Sequence, residues 1–229
     1  MYRLSATALH FPPPDQATPE GLLAVGGDLR PERLIEAYRH GIFPWYNEDQ
    51  PILWWSPDPR AVLFPSRLHV PRSLEKTLRR GRFTFTLDTC FRDVMIRCAG
   101  PRIQYPEGGT WITPAMIEAY TELHQLGYAH SIETWQDGRL VGGLYGVALG
   151  AAFFAESMFM RVPDASKAAL VRLVRQLRAW DFQLIDCQQS SPHVRRFGAQ
   201  NIPRREFIAR LAAALAVLDR RGPWRVDGR

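Results

Sequence analysis

Two short apolar runs carry polar side chains that a plain core strand avoids, and they constrain the fold more than any other feature of the chain. Phe153-Phe154-Ala155-Glu156-Ser157-Met158-Phe159 and Leu184-Ile185-Asp186-Cys187-Gln188 both have the pattern of buried strands, yet each holds groups that are costly to bury without partners. In the second run a period of two puts Asp186 and Gln188 on one face and Cys187 on the other. If the two strands are neighbours, Glu156, Asp186 and Gln188 converge on a pocket walled by Phe and Met. Apolar lining with a few fixed polar groups is the composition of a binding site. Either acid taken alone fits a structural ion pair equally well; two acids and an amide on adjacent strands favour function.

The length of 229 residues and an apolar fraction of 46% suffice for a large core. The 29 basic and 23 acidic residues leave a net charge of +6, which suits an anionic partner such as nucleic acid and also suits solubility. Cys90, Cys98 and Cys187 have no CxxC spacing and no His at ligand distance, so neither a disulfide framework nor a zinc site is indicated. The first ten residues lack a signal-peptide pattern, and no run of ~18 apolar residues occurs. The expectation is a cytoplasmic protein with reduced thiols and no membrane span.

The chain opens on a proline-rich arm, residues 11–20. Gly26-Gly27-Asp28 reads as a turn with Asp28 capping a helix from Pro31 to His40, which packs Leu34, Ile35 and Tyr38 and stops at Gly41. Five aromatics then fall between residues 43 and 55 in proline-broken segments. Each is a core filler or a stacking platform for a base. A break near Arg60 to Pro65 marks residues 1–60 as a small N-terminal domain.

In the larger domain, residues 61–229, Ser73 to Arg80 forms a helix on which Lys76, Arg79 and Arg80 share a face, an arrangement suited either to a phosphate backbone or to solvent. Gly108-Gly109-Thr110-Trp111 leads into a helix capped by Thr113 with Pro114 at its first position, which leaves Trp111 as a second stacking candidate. Strands follow over residues 129–135, 140–147 and 151–159, with Asp137-Gly138 as a hairpin turn. A helix over 166–180 presents Leu170, Leu173, Val174 and Leu177 on one stripe and precedes the strand Phe182 to Gln188. Antiparallel strands followed by strand, helix, strand predict an α+β, or mixed α/β, fold with a mainly antiparallel central sheet.

The strings Gly26-Gly-Asp-Leu29, Gly41-Ile-Phe-Pro-Trp45, Leu53-Trp-Trp-Ser-Pro-Asp-Pro-Arg60, Gly109-Thr-Trp-Ile-Thr113, His130-Ser-Ile-Glu133, Val141-Gly-Gly-Leu-Tyr-Gly-Val147, Glu156-Ser-Met-Phe159, Ala165-Ser-Lys-Ala-Ala-Leu170 and Leu184-Ile-Asp-Cys-Gln188 resemble, in order, those of the bacterial leucyl/phenylalanyl-tRNA-protein transferases. The resemblance implies transfer of Leu or Phe, and less readily Met, from aminoacyl-tRNA to the N-terminal amine of proteins beginning with Arg or Lys, as a tag for N-end rule degradation. It implies a C-terminal domain similar to acyl-CoA N-acyltransferases. Carried over to this sequence, it implies adenosine-stacking roles for Trp45 and Trp111 and a polar catalytic centre at Glu156, Asp186 and Gln188. It further implies a donor side-chain pocket at Phe153, Met158, Leu170 and Ile185, and tRNA contacts at Lys76, Arg79 and Arg80.

An aminoacyl-tRNA is an activated ester, so no cofactor is implied, and aminolysis needs positioning above all. The expectation is that Asp186, helped by Gln188, accepts a hydrogen bond from the attacking amine and draws off its proton, while Glu156 holds the aminoacyl or ribose end. An acetyl-CoA-dependent acyltransferase is the rival on the same fold, but the glycines of a pyrophosphate loop are missing at Arg161-Val-Pro-Asp-Ala-Ser-Lys167. A cell-wall aminoacyl transferase and a pure RNA-binding module remain as further alternatives; the last has no need of Glu156, Asp186 and Gln188.

Overall fold

The computed structural model describes residues 2–5, 7–100 and 110–225. The Gly108-Gly109 approach to Trp111 lies outside the described residues. In chain order the elements are β1 (Tyr2–Leu4), β2 (Leu22–Gly26), α1 (Pro31–Arg39), β3 (Phe43–Pro44), β4 (Leu53–Trp55), β5 (Arg60–Leu63), α2 (Arg72–Arg79), β6 (Thr84–Leu87), α3 (Phe91–Ala99), α4 (Pro114–Gln125), β7 (Ala129–Gln136), β8 (Arg139–Leu149), β9 (Ala152–Met160), α5 (Ala165–Ala179), β10 (Leu184–Asp186), α6 (Pro192–Arg196), β11 (Gln200–Ile202) and α7 (Arg204–Leu215).

Among the described residues β1-β2-β4-β3 form a four-stranded sheet, and β11-β5-β10-β9-β8-β7-β6 form a seven-stranded one. The fold is mixed α/β, and the larger sheet is antiparallel except where β10 runs parallel to β9. That parallel pair is the expected adjacency of the two polar-bearing runs, with Leu184 opposite Ala152 and Asp186 opposite Phe154. Parallel neighbours need a crossover, and α5 supplies it. The small sheet lies wholly before residue 56, and the large one begins at Arg60.

The large sheet is covered on both faces. On one, Val62, Phe154 and Leu184 pack with α1, α3, α4, α7 and the small sheet through Tyr38, Met95, Tyr120, Phe207 and Trp54. On the other, Leu63, Phe153 and Ile185 pack with α5 through Leu170, Leu173, Val174 and Leu177, the stripe expected from its 3.6-residue period. Burying these apolar faces is the main stabilising term.

Local signals explain several boundaries. Thr113 caps α4 by accepting the Met116 N–H at 3.2 Å, and Pro114 opens that helix. Asp137 and Gly138 both adopt positive φ, 51° and 71°, as a tight β7–β8 hairpin requires. Asp28 is not the N-cap of α1; that position is Arg30, and Asp28 accepts the Arg30 N–H at 3.0 Å and pairs with buried Arg33. Gly41, at φ 70°, ends α1 as expected.

Two departures shape the site. The strand expected to reach Gln188 ends at Asp186, because Gln188 takes a left-handed φ of 54°. In β9 the register shifts between Tyr145 opposite Ser157 and Gly146 opposite Ala155, so Glu156 is the extra residue of a β-bulge. Gly146 makes this possible: a Cβ there would overlap the Phe154 carbonyl and come within 2.6 Å of the Phe153 ring.

Candidate active site

Because β10 stops at Asp186 while β9 continues to Met160, the two parallel strands part beyond Phe154, and a cleft of about 370 Å³ opens near the parting. Its floor carries Glu156, Cys187, Gln188 and Gln189. Its walls come from the other side of the molecule: Phe43, Pro44, Trp45 and Asn47 from the segment around β3, and Thr110 and Trp111 from the entry to α4. The volume and the mixture of aromatic walls with a few polar groups are those of a small-molecule site. Trp45 is exposed, and its ring stands edge-on to Trp55 at 5.7 Å; the Trp55 indole N–H donates to the Trp45 carbonyl at 2.7 Å. Trp45 and Trp111, both singled out from the sequence, thus meet at one cleft.

The bulge turns Glu156 towards α1. Its Oε1 accepts from the Tyr38 hydroxyl at 2.8 Å and from Gln188 Nε2 at 3.0 Å. Tyr38 donates its hydroxyl hydrogen to the carboxyl, so in the contact with Tyr120, at 2.5 Å, Tyr120 is the donor and the Tyr38 oxygen the acceptor. Burial, the largest influence, and the nearby Asp186 carboxylate lift the Glu156 pKa to about 8, against the opposing pull of the Tyr38 hydrogen bond and of Arg60. With Oε1 engaged by two donors, the proton of the neutral acid sits on Oε2. Burial likewise raises both tyrosines well above their ordinary range, so they remain hydroxyl donors.

Asp186 is placed differently from the expectation. Its side chain is fully buried behind the cleft floor, where Arg60 Nε donates to Oδ1 at 2.8 Å and Nη2 to Oδ2 at 2.7 Å. Oδ1 also accepts the Gln188 backbone N–H at 2.9 Å. With both oxygens occupied and no solvent exposure, Asp186 stays off the cleft lining and holds the backbone of Gln188, which is on it. Cys187, expected on the opposite face from Gln188, shares the floor with it because the strand has already ended. Burial pushes its thiol up to about 12, so it is no nucleophile at neutral pH.

Phe153, Leu170 and Ile185 are buried together against α5, with Met158 half-buried beside them. They form one cluster, as the sequence suggested, but none of the four lines the open cleft. Lys76, Arg79 and Arg80 are exposed on and just after α2, away from the cleft lining, with Arg79 3.7 Å from Glu75.

Tyr38, Tyr120 and Arg60 complete the polar network of the site, and the sequence reading does not single them out. Tyr38 reads as one more apolar contact of α1. Arg60 carried a usable signal: it opens the apolar strand Arg60-Ala-Val-Leu63, and an unmatched charge in such a strand calls for a partner of the kind Asp186 provides.

Comparison with known proteins places this architecture. Residues 62–212 match the family model of the leucyl/phenylalanyl-tRNA protein transferases, and residues 27–58 match the model of their N-terminal domain. A leucyl/phenylalanyl-tRNA–protein transferase of Anaeromyxobacter sp. (strain Fw109-5) is 60% identical over 227 residues, covering 99% of this chain and 96% of its own. One from Thiobacillus denitrificans is 58% identical over 224 residues, 96% of each chain. Two solved structures that the chain resembles are far more distant. L-PGS from Bacillus licheniformis has a TM-score of 0.41 at 12% identity, covering 74% of this chain and 53% of its own. A GCN5-related N-acetyltransferase from Kribbella flavida has 0.39 at 11%, covering 73% and 59%. The sequence matches, spanning nearly the full length, establish that this chain belongs to the leucyl/phenylalanyl-tRNA–protein transferase family and is an aminoacyl-transferring enzyme.

Proposed function

We propose that the enzyme moves Leu or Phe, and less readily Met, from its tRNA to the N-terminal α-amine of proteins beginning with Arg or Lys, marking them for degradation by the N-end rule. The observation that carries this reading is the cleft itself: two tryptophans at its walls and a Glu156–Gln188 pair on its floor, in a chain of this family.

The reaction is an ester aminolysis. The amine lone pair attacks the ester carbonyl, the C–N bond forms, the C–O bond to the ribose breaks, and the proton lost by the amine is matched by one gained by the departing ribose oxygen. An α-amine with a pKa of about 7.7 to 8.0 is partly neutral at physiological pH, so the enzyme's task is placement. In this reading Trp45 and Trp111 hold the terminal adenosine of the tRNA, worth about 1–3 kcal/mol per stacked base. Gln188 and Glu156 face the reacting groups. Among the described residues none holds the Gln188 side-chain oxygen, so it can accept from the attacking amine while Nε2 donates to Glu156. Asp186 acts from behind through the Gln188 backbone, in place of the direct proton acceptor expected from sequence.

Phe153, Met158, Leu170 and Ile185, which stand behind the cleft lining, are proposed as the wall that selects the donor side chain, reached past half-buried Met158. A methylene in such a wall is worth only about 1–3 kcal/mol, so Met is used and Val and Ala are poor donors. The exposed Lys76, Arg79 and Arg80 lead the tRNA backbone towards the cleft. The working division is a small domain of residues 1–60 that supplies the Trp45 wall and a catalytic domain of 61–229 that supplies the floor.

The test is transfer of labelled Phe from Phe-tRNA to a polypeptide beginning with Arg, beside an otherwise equal one beginning with Ala. Label on the Arg acceptor alone is the expected result. Binding of charged tRNA with no transfer to either acceptor would overturn the acceptor assignment.

A further inference from the structure

Arg60 occupies a costly position. Its side chain is fully buried, its guanidinium lies over the rings of Phe43 at 4.9 Å and Phe207 at 4.5 Å, and among the described residues its Nη1 has no hydrogen-bond partner. Its only carboxylate partner among the described residues is Asp186. A buried ion pair of this kind adds little net stability, because desolvating both charges offsets their attraction, and apolar replacements of similar volume are often as stable. Stability alone therefore gives a weak account of the pair.

The surroundings give a better one. Arg60 and Val62 share a face of β5, and Val62 is directly opposite Asp186, so the Arg side chain reaches its partner along the diagonal of an antiparallel pair. The fork geometry fixes both carboxylate oxygens at once. Asp186 Oδ1, so fixed, holds the Gln188 N–H, while the Ala61 N–H donates to the Gln188 carbonyl at 3.2 Å and the Cys187 N–H to the Ala61 carbonyl at 2.9 Å. Gln188 is thereby kept at a positive φ that a non-glycine residue adopts only when its surroundings insist. From that backbone position its side chain reaches Glu156. Phe43, the ring on one face of Arg60, is itself a wall of the cleft.

We infer that Arg60 is a positioning residue for the transfer reaction: by gripping Asp186 and bracing Phe43, it sets where the Gln188 side chain stands on the cleft floor. This inference rests on the aminoacyl-transfer reading above. A second consequence is electrostatic. The Arg60 charge favours ionised Glu156, so a variant without it has a Glu156 that ionises at higher pH, whereas a lysine keeps that ionisation near its original place.

Two variants of the full-length protein test it, each assayed for thermal melting and for kcat and KM with labelled Phe-tRNA and the Arg acceptor. Arg60→Lys keeps the charge but cannot span both oxygens. It is expected to fold and to lose about tenfold or more in kcat, since small misplacements at a reacting centre are that expensive, while KM for Phe-tRNA moves less than about twofold. Arg60→Met combined with Asp186→Leu removes both charges, so no buried charge is stranded; it is expected to melt near wild type and still transfer poorly. Transfer at the wild-type rate by the Lys variant, or recovery of both melting and transfer by the double variant, would overturn the positioning role and leave a purely structural pair. Wild-type protein that moves no label would fail the transfer reading, an outcome separate from either of these.

Discussion

The seven-stranded sheet buries two pairs of carboxylates, and they end differently. On β9 and β10, Glu156 and Asp186 stand with Arg60, Tyr38 and Gln188 beside an open cleft. Near β6 and β7, Asp88 and Glu133 stand with His130, Ser131, Thr86 and Thr89. There Asp88 accepts from His130 Nδ1 at 2.9 Å, the Ser131 N–H at 2.9 Å and the Trp224 N–H at 2.6 Å, while Glu133 accepts from the Thr86 and Ser131 hydroxyls, each at 2.5 Å. The ingredients are alike. What differs is the roof: Trp224 stacks on the His130 ring at 3.5 Å and packs on Phe153, Trp180 and Phe182, closing the Asp88–His130 side of the second cluster, whereas Gln188 and Glu156 line an open cleft. Polar burial alone does not distinguish a site from a clasp. A group that faces space does.

Removing the roof should produce the largest effect. Trp224→Ala is expected to cost about 3–5 kcal/mol in denaturant unfolding, as large buried aromatics do, while transfer per folded molecule stays close to wild type. A matching loss of transfer at unchanged stability would erase the contrast between the two clusters. Gln188→Ala should do the reverse: transfer falling about 10- to 100-fold, with the unfolding midpoint scarcely moved because Gln188 is partly exposed at the floor.

Glu156 sharpens the comparison through pH. Its pKa rises from 4.5 to about 8 on folding, so between those values the folded protein holds a proton that the unfolded chain has released. Stability is thus highest below pH 4.5 with respect to this group and falls as pH rises to about 8, by at most about 1.4 kcal/mol per unit. Glu156→Gln is expected to flatten that fall in melts taken across the range; an unchanged slope would show that Glu156 is ionised in the fold. The smallest effect on transfer is expected from Tyr38→Phe, which costs about 1–3 kcal/mol in stability because it removes the hydrogen bonds to Glu156 and from Tyr120 and strands the Tyr120 hydroxyl. Since the Tyr38–Glu156 bond favours ionised Glu156, its loss should also move the group's ionisation in the pH–rate profile upward.

Much of the frame is legible in the sequence because its causes are local. Apolar runs between turn signals mark β7, β8 and β9, Asp137-Gly138 makes their first turn, and Thr113 with Pro114 starts α4. The meeting of Glu156 with Gln188 follows from polar residues in apolar runs. What escapes the sequence is set by distant partners. The bulge at Glu156 depends on the register against β8 and on the room Gly146 leaves. The end of β10 at Asp186 depends on the grip of Arg60, 126 positions earlier in the chain. A period of two extended to Gln188 therefore puts Asp186 in the cleft and Cys187 out of it, the reverse of what the fold does. Tyr38 and Tyr120, 82 positions apart, join only once α1 and α4 both pack on the sheet.

The central claim is a division of labour: Glu156 and Gln188 face the substrate, and Asp186 works from behind, held by Arg60. The most direct measurement is a crystal structure of the enzyme with a non-hydrolysable phenylalanyl-adenosine analogue. The account predicts adenine against Trp45 and Trp111, polar contacts from Gln188 and Glu156, and the Arg60–Asp186 pair intact. An Asp186 carboxylate released from Arg60 and within hydrogen-bond reach of the ligand would contradict it.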